Sequence, residues 1–168
     1  MTPSIRDMTA ADTDGVAEVR VLGWRHAYRG LVPQPHLDAM DPAPFAAGLR
    51  RALPGLPAHT SHLVASAAGR VVGWACLGPY RPQDEDWGEV RALYVHPDVL
   101  GTGVGWALLT AGTARLRAAG LPRVRLWVLR DNRRARRFYE RAGFAPDGAV
   151  QSDEIDGADV PEVRYARG

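Results

Sequence analysis

The chain has 168 residues, which suits one domain with a sizeable core. Hydrophobic residues make up 46% and charged residues 24%, an ordinary composition for a soluble protein, and a net charge of +2 is too small to imply a nucleic-acid partner by itself. All 21 basic residues are arginine, Cys76 is the single cysteine so no internal disulfide can form, and no run of 18 apolar residues offers a membrane span. The opening "MTPSIRDMTAADTDG" lacks the apolar stretch of a secretion signal, so a cytoplasmic protein with neither membrane nor nucleic-acid partner is expected.

Taken in chain order, "SIRDMT" (4–9) reads as a short strand. Thr9 followed by Asp12 is a helix-start signal, Val16, Val19, Gly23 and Ala27 recur at helical spacing, and Gly30 is the expected C-terminal cap. The proline-rich stretch 31–57 predicts short helices over 35–40 and 43–53. "SHLVASAA" (61–68) and "VVGWACLG" (71–78) flank "GR" as a hairpin, "RPQDEDWG" (81–88) reads as a polar loop, and "EVRALYV" (89–95) as a strand. Val104, Leu108, Ala111 and Leu116 mark the apolar face of a helix that ends at "Gly120-Leu-Pro". "VRLWVL" (124–129) alternates as a strand, "DNRRARRFYERAG" (131–143) is a capped helix, and "FAPDGAV" and "PEVRYAR" (161–167) are closing strands. This order predicts a single α/β (α+β) domain around a mixed sheet of six to seven strands with helices on both faces.

"VLGTGVGWALLTAG" (99–112) puts Gly101, Gly103 and Gly105 where a strand gives way to a helix. Glycine costs about 1 kcal/mol relative to alanine inside a helix, so the segment is either a tight turn or a close approach to a ligand. Helix N-termini present free N–H groups and a positive dipole end, which makes a phosphate cradle there. A P-loop is excluded because the chain has no lysine, and the G-x-G-x-x-G fingerprint is absent: the sixth position from Gly101 is Trp106, and from Gly103 it is Leu108. A Gly-rich turn that only packs a helix onto a strand stays open at this point.

The flanks of that segment carry a resemblance. "EVRALYVHPDVLGTGVGWALL" resembles the acetyl-CoA segment of the GNAT superfamily of N-acetyltransferases: an L-Y-V strand, a proline, R/Q-x-x-G-x-G/A, then an apolar helix. The motif falls on Leu100, Gly101, Thr102, Gly103, Val104 and Gly105. "DNRRARRFYERAGF" resembles the second family signature, with Asn132, Ala135, Tyr139 and a following G-F. "IRDMTAADTDGVAEV" with the later "AYRG" is similar more loosely, so the likeness spans nearly the whole chain. Leu100 stands where the family has Arg or Gln, which removes a polar side-chain contact but leaves the backbone donors.

The resemblance implies acetyl-CoA as cosubstrate and a primary amine, on a small molecule or peptide, as acceptor. It implies that the strand 89–95 is bulged and splays from 124–129, that backbone groups of Leu93, Tyr94 and Val95 pair with pantetheine, and that the segment from Leu100 to Trp106 holds the pyrophosphate. Asn132, Arg134, Ala135 and Tyr139 complete the cofactor contacts. Glu89 is the implied base and Tyr139 the implied acid that protonates the leaving thiolate, with Trp24 and Tyr28 in the acceptor pocket. Each has a plain reading beside it: a solvated carboxylate at a strand end, a packed tyrosine, a helix cap, a core tryptophan. The five histidines have no H-x-x-x-H or cysteine partner, so no metal is expected. Cys76 lies in an apolar strand as a core residue, and most arginines of 133–141 form a solvated face. The layout is strand plus acceptor-side helices in 1–57, antiparallel strands in 61–96, the acetyl-CoA core in 97–144 and closing strands in 145–168. Family members are often homodimers, and a non-catalytic acyl-CoA-binding module is the alternative.

Overall fold

The computed structural model describes residues 2–81 and 84–168; Pro82 and Gln83, within the expected polar loop, lie outside the described residues. The elements are β1 (Ser4–Asp7), α1 (Thr13–Ala27), α2 (Gln34–Ala39), α3 (Pro42–Ala52), β2 (Ser61–Ala67), β3 (Arg70–Tyr80), β4 (Asp84–Val95), α4 (Val104–Ala118), β5 (Arg123–Leu129), α5 (Arg133–Arg141), β6 (Ala145–Ile155) and β7 (Ala158–Arg167). They form one seven-stranded sheet in the order β1-β2-β3-β4-β5-β7-β6. β4 and β5 pair parallel and the other neighbours antiparallel. A parallel neighbour needs a long crossover, and α4 is that crossover.

Both faces are covered. Val104, Leu108 and Leu116 of α4 and Tyr139 of α5 join Leu77, Val90, Val124 and Leu126 in the main core. On the other face Val16 of α1 and Leu49 of α3 meet Val64 and Trp74, while Leu37 of α2 meets Leu129 and Val160. α4 sits close to the sheet because glycines face bulky side chains across the contact. A Cβ on Gly73 would come within 2.8 Å of Leu108, one on Gly88 within 2.8 Å of Leu116, and one on Gly112 within 2.5 Å of Leu77. Among the described residues no helix is long and apolar enough to cross a membrane.

Four expectations are corrected. The segment 84–88 is strand, because Gly88 and Trp87 pair with β5 and Gly88 also with Pro79 of β3, and these ladders outweigh its polar composition. α1 ends at Ala27, where the N–H of Tyr28 bonds the Trp24 carbonyl; Gly30 (φ +78°) belongs to the turn that follows. The first hairpin turns on Ala68–Gly69 (φ +49° and +74°), one residue before "GR". β6 and β7 are longer than expected because Asp156–Gly157 (φ +49° and +77°) makes a second tight hairpin, the D-G turn whose left-handed geometry matches strand twist. Within "FAPDGAV" the ladder is interrupted between Pro146 and Val150.

Candidate active site

The site begins with a defect in the sheet. Cys76 pairs with Ala92 and Leu77 with Val90, so Arg91 is an extra residue and β4 is bulged. The β4–β5 ladder runs from Trp87–Arg123 to Val90–Leu126 and ends there. Beyond it Leu93, Tyr94 and Val95 form one wall, and Trp127, Val128 and Leu129 the other wall, of a cleft of about 880 Å³. The bulge and the splay implied by the resemblance are therefore both present.

At one end of the cleft the chain passes from β4 through a short turn, Pro97–Val99, into α4. The turn is held by the Asp98 N–H on His96 Nδ1 (3.2 Å) and by the Thr102 hydroxyl on the Val99 carbonyl (2.7 Å). Gly101 (φ +79°) and Gly103 (φ +92°, the residue capping α4) are left-handed, a conformation side chains resist. Apart from their own chain neighbours, nothing lies within 4 Å of where their Cβ atoms would be, so the turn leading into α4 is open on that side. Leu100, Gly101, Gly103, Gly105 and Trp106 line the cleft. Thr102 is tied back to Val99, and the Val104 side chain is buried in the core, so these two can offer only backbone groups.

α5 forms the adjoining wall. Asn132 Oδ1 accepts the Ala135 N–H (3.2 Å) and caps the helix, and Asn132, Arg134, Ala135 and Tyr139 all line the cleft. Arg136 points away, donating to the Tyr165 hydroxyl (2.8 Å) and the Arg130 carbonyl (2.8 Å), which locks α5 against β7. Tyr139 is buried, and burial together with the neighbouring Tyr94 phenol pushes its pKa up.

The other end lies under α1. Trp24 and Tyr28 meet edge to face at 4.9 Å, one helical turn apart, and both line the cleft. Arg25 fixes that end of α1 by donating to the carbonyls of Leu37 (2.9 Å) and Met40 (3.0 Å) around the end of α2. Burial raises the Tyr28 pKa, and Tyr94, Tyr139 and Glu162 add to it. Glu89 is 5% exposed, and its carboxylate accepts the Arg81 N–H (3.1 Å) and faces the Arg81 guanidinium (3.3 Å). Cys76 is buried on the neighbouring strand, 3.8 Å from His62 Nε2, and burial pushes its thiol pKa up, as a core thiol requires.

Sequence reasoning missed Arg81, Arg91, Trp127, Gln151, Asp153 and Glu162, which also line the cleft. Trp127 had a signal: the alternation of 124–129 buries Val124, Leu126 and Val128 against α4 and α5 and turns Trp127 to the opposite face. The D-G pair at 156–157 was the signal for Gln151, Asp153 and Glu162, because it folds β6 onto β7.

Comparison with known proteins agrees with this geometry. A family model described as the acetyltransferase (GNAT) family matches residues 15–144. The uncharacterized N-acetyltransferase YuaI of Bacillus subtilis (strain 168) is 28% identical over 163 residues, 95% of this chain and 90% of that protein. A mycothiol acetyltransferase of Saccharomonospora viridis is 38% identical over 111 residues, 63% of this chain and 32% of that protein, so this chain spans about a third of it. Among solved structures, the PaiA N-acetyltransferase of Thermoplasma acidophilum in complex with coenzyme A has the same fold, with a TM-score of 0.73 at 21% identity over 97% of this chain and 98% of that one. With most of its length under that family model, the chain belongs to the GNAT family of acetyltransferases.

Proposed function

We propose that the protein transfers an acetyl group from acetyl-CoA to a primary amine by direct attack within a ternary complex. The observation that carries this reading is the continuity of one cleft, from the glycine cradle at α4, along the free edge of β4, to Tyr139, Glu89 and the aromatic pair Trp24 and Tyr28. Acetyl-CoA, when bound, supplies an activated thioester. The N–H groups at the start of α4 and the space at Gly101 and Gly103 fit a pyrophosphate. The edge of β4 at Leu93, Tyr94 and Val95 fits the pantetheine amides, with Asn132, Arg134 and Ala135 beside it, and a backbone N–H near Tyr94 would stabilise the oxyanion of the thioester.

Glu89 takes a proton from the incoming ammonium through a chain of water molecules in the cleft. Tyr139, kept protonated by its burial, gives its proton to the leaving sulfur. As the C–N bond forms and the C–S bond breaks, the nitrogen sheds a second proton, which replaces the one Tyr139 gave; one proton reaches solvent.

Thiol release from acetyl-CoA in the presence of an amine panel (peptide N-termini, polyamines, amino acids, aminoglycosides) tests the reading. Turnover with at least one amine is expected. Acetyl-CoA that raises the melting temperature while no amine is acetylated would identify a binding module instead.

A further inference from the structure

The acceptor half of the cleft has two ends of opposite polarity. At the Glu89 end two guanidinium groups flank the one carboxylate. Arg81 pairs with Glu89 at 3.3 Å, and Arg91, the bulge residue, reaches back to the Pro79 carbonyl (2.7 Å) with its Nε buried and unmatched. At the other end Glu162 of β7 and Asp153 of β6 line the same cleft. The hydrogen-bond partner of Glu162 is the neutral Gln151 amide (2.6 Å). Arg164, two residues along β7, is drawn off to Asp147 (2.6 Å) and the Tyr80 hydroxyl (3.0 Å).

Register separates the two carboxylates. Glu89 pairs with Arg125 and Glu162 with Leu129, so they stand two strands and four residues apart, about 16 Å between Cα atoms by strand spacing. Trp127 lies on β5 between these levels. The Glu162 end is the one that shares a neighbourhood with Tyr139, because the Tyr28 phenol is within electrostatic reach of Tyr94, Tyr139 and Glu162 together. Above it, the Trp24 indole N–H is buried in the cleft wall without an acceptor. An orphaned buried donor favours a ligand oxygen beside it.

We propose that Glu162 binds the ammonium of the acceptor, and that the acceptor carries an uncharged oxygen-bearing neighbour beside that amine, as an aminoacyl amide or peptide N-terminus does, rather than a free carboxylate. A carboxylate next to the amine would face Glu162 and Asp153 and be repelled, whereas an amide oxygen meets Trp24 Nε1. The assignment rests on the acetyl-transfer reading above and names the acceptor class of the same cleft.

The test uses two matched pairs, L-alaninamide against L-alanine and L-phenylalaninamide against L-phenylalanine, with thiol release measured at saturating acetyl-CoA. The wild-type protein is expected to prefer the amides by about 30-fold in kcat/KM. Glu162→Gln is expected to raise the amide KM by about 30-fold and bring the two members of each pair within a few-fold, with acetyl-CoA affinity by calorimetry unchanged. Glu162→Asp restores part of the preference. Free acids used as well as amides, or a wild-type KM in Glu162→Gln, overturns the assignment while leaving acetyl transfer standing. If the wild-type protein binds acetyl-CoA but releases no thiol with either pair, acetyl transfer fails for these amines. Glu162 is then judged by calorimetric binding of L-phenylalaninamide to the CoA-loaded protein: weaker binding by Glu162→Gln supports it, and equal or absent binding overturns it.

Discussion

Tyr139 shows how a single residue's surroundings set its protonation state. A phenol buried among Phe138, Phe144 and Tyr94 loses stability as the anion, so its pKa rises and it stays protonated across the working range. That holds the phenol in the protonated form a donor needs, and makes the phenolate left after donation quick to regain a proton. Tyr139→Phe keeps the packing and removes the proton, so kcat is expected to fall about 100-fold while acetyl-CoA affinity changes less than twofold. Steady-state thiol release together with calorimetry checks both. The wild-type kcat profile is expected to show no basic limb from Tyr139 below its unperturbed value near 10; unchanged kcat in the variant removes Tyr139 from the chemistry. The place of this residue in the cleft wall was legible in the sequence because its spacing from Asn132 and Ala135 is a local, helical signature. The place of Glu162 was not, because it depends on which strands β6 and β7 lie beside, and no local pattern states that.

At the level of elements, the start of α1 is specified by three residues acting together. Asp12 ends a short turn over Ala10–Asp12, and its carboxylate accepts the Thr9 N–H (2.8 Å) and hydroxyl (3.0 Å). Arg6 of β1 adds a two-pronged contact at 2.7 and 2.8 Å. The helix that carries Trp24 and Tyr28 is thereby fastened to the sheet edge at its far end. Arg6 and Thr9 hold the Asp12 carboxyl down at about 2, from an ordinary value near 3.8. Asp12 is buried, so this shift corresponds to about 2 kcal/mol of folding stability. Because folding lowers the pKa, the contribution is complete above about pH 5 and is lost as pH falls through 4 toward 2. Urea unfolding of wild type and Asp12→Asn is expected to differ by about 2 kcal/mol at pH 6 and by less than about 1 kcal/mol near pH 2.5. A gap that stays constant with pH would show that the neutral amide costs packing rather than charge. Thr9 and Asp12 were readable as a helix start; the Arg6 contribution was not, because it comes from the neighbouring strand. The strand at 84–88 was misread for a related reason: its acidic side chains suggested a loop, while its backbone has ladders on both sides.

For the whole molecule, the decisive feature is that the sheet is interrupted at its centre. β1 to β4 form one wing and β5, β7 and β6 the other, joined by the short parallel ladder that ends at Val90 and Leu126. The α4 crossover packs on the first wing, on β3 through Gly73 and Gly112 and on β4 through Gly88, and its Leu108 and Leu116 share a core cluster with Val124 and Leu126 of β5 in the second. The motif sequences pointed to the glycine turn before α4 and to the strand beside it, but the width of the opening follows from register on both wings at once. A ligand seated between Leu93–Val95 and Trp127–Leu129 supplies hydrogen-bonding groups where the ladder stops, so it couples the wings as well as occupying a pocket. Acetyl-CoA at 100 times its dissociation constant is expected to add about 2.7 kcal/mol to stability. For a domain of this size that raises Tm by roughly 5–10 °C. If the ligand acts as a false strand, amide hydrogen exchange slows at Leu93–Val95, and also at Trp127–Leu129 and along β7, where the second wing is held only indirectly. Adenosine 3′,5′-diphosphate, which has the phosphates but no pantetheine arm, is expected to protect the start of α4 and leave Trp127–Leu129 unchanged. Protection by acetyl-CoA confined to the α4 turn would mean that the opening between β4 and β5 is a consequence of packing and takes no part in holding the ligand.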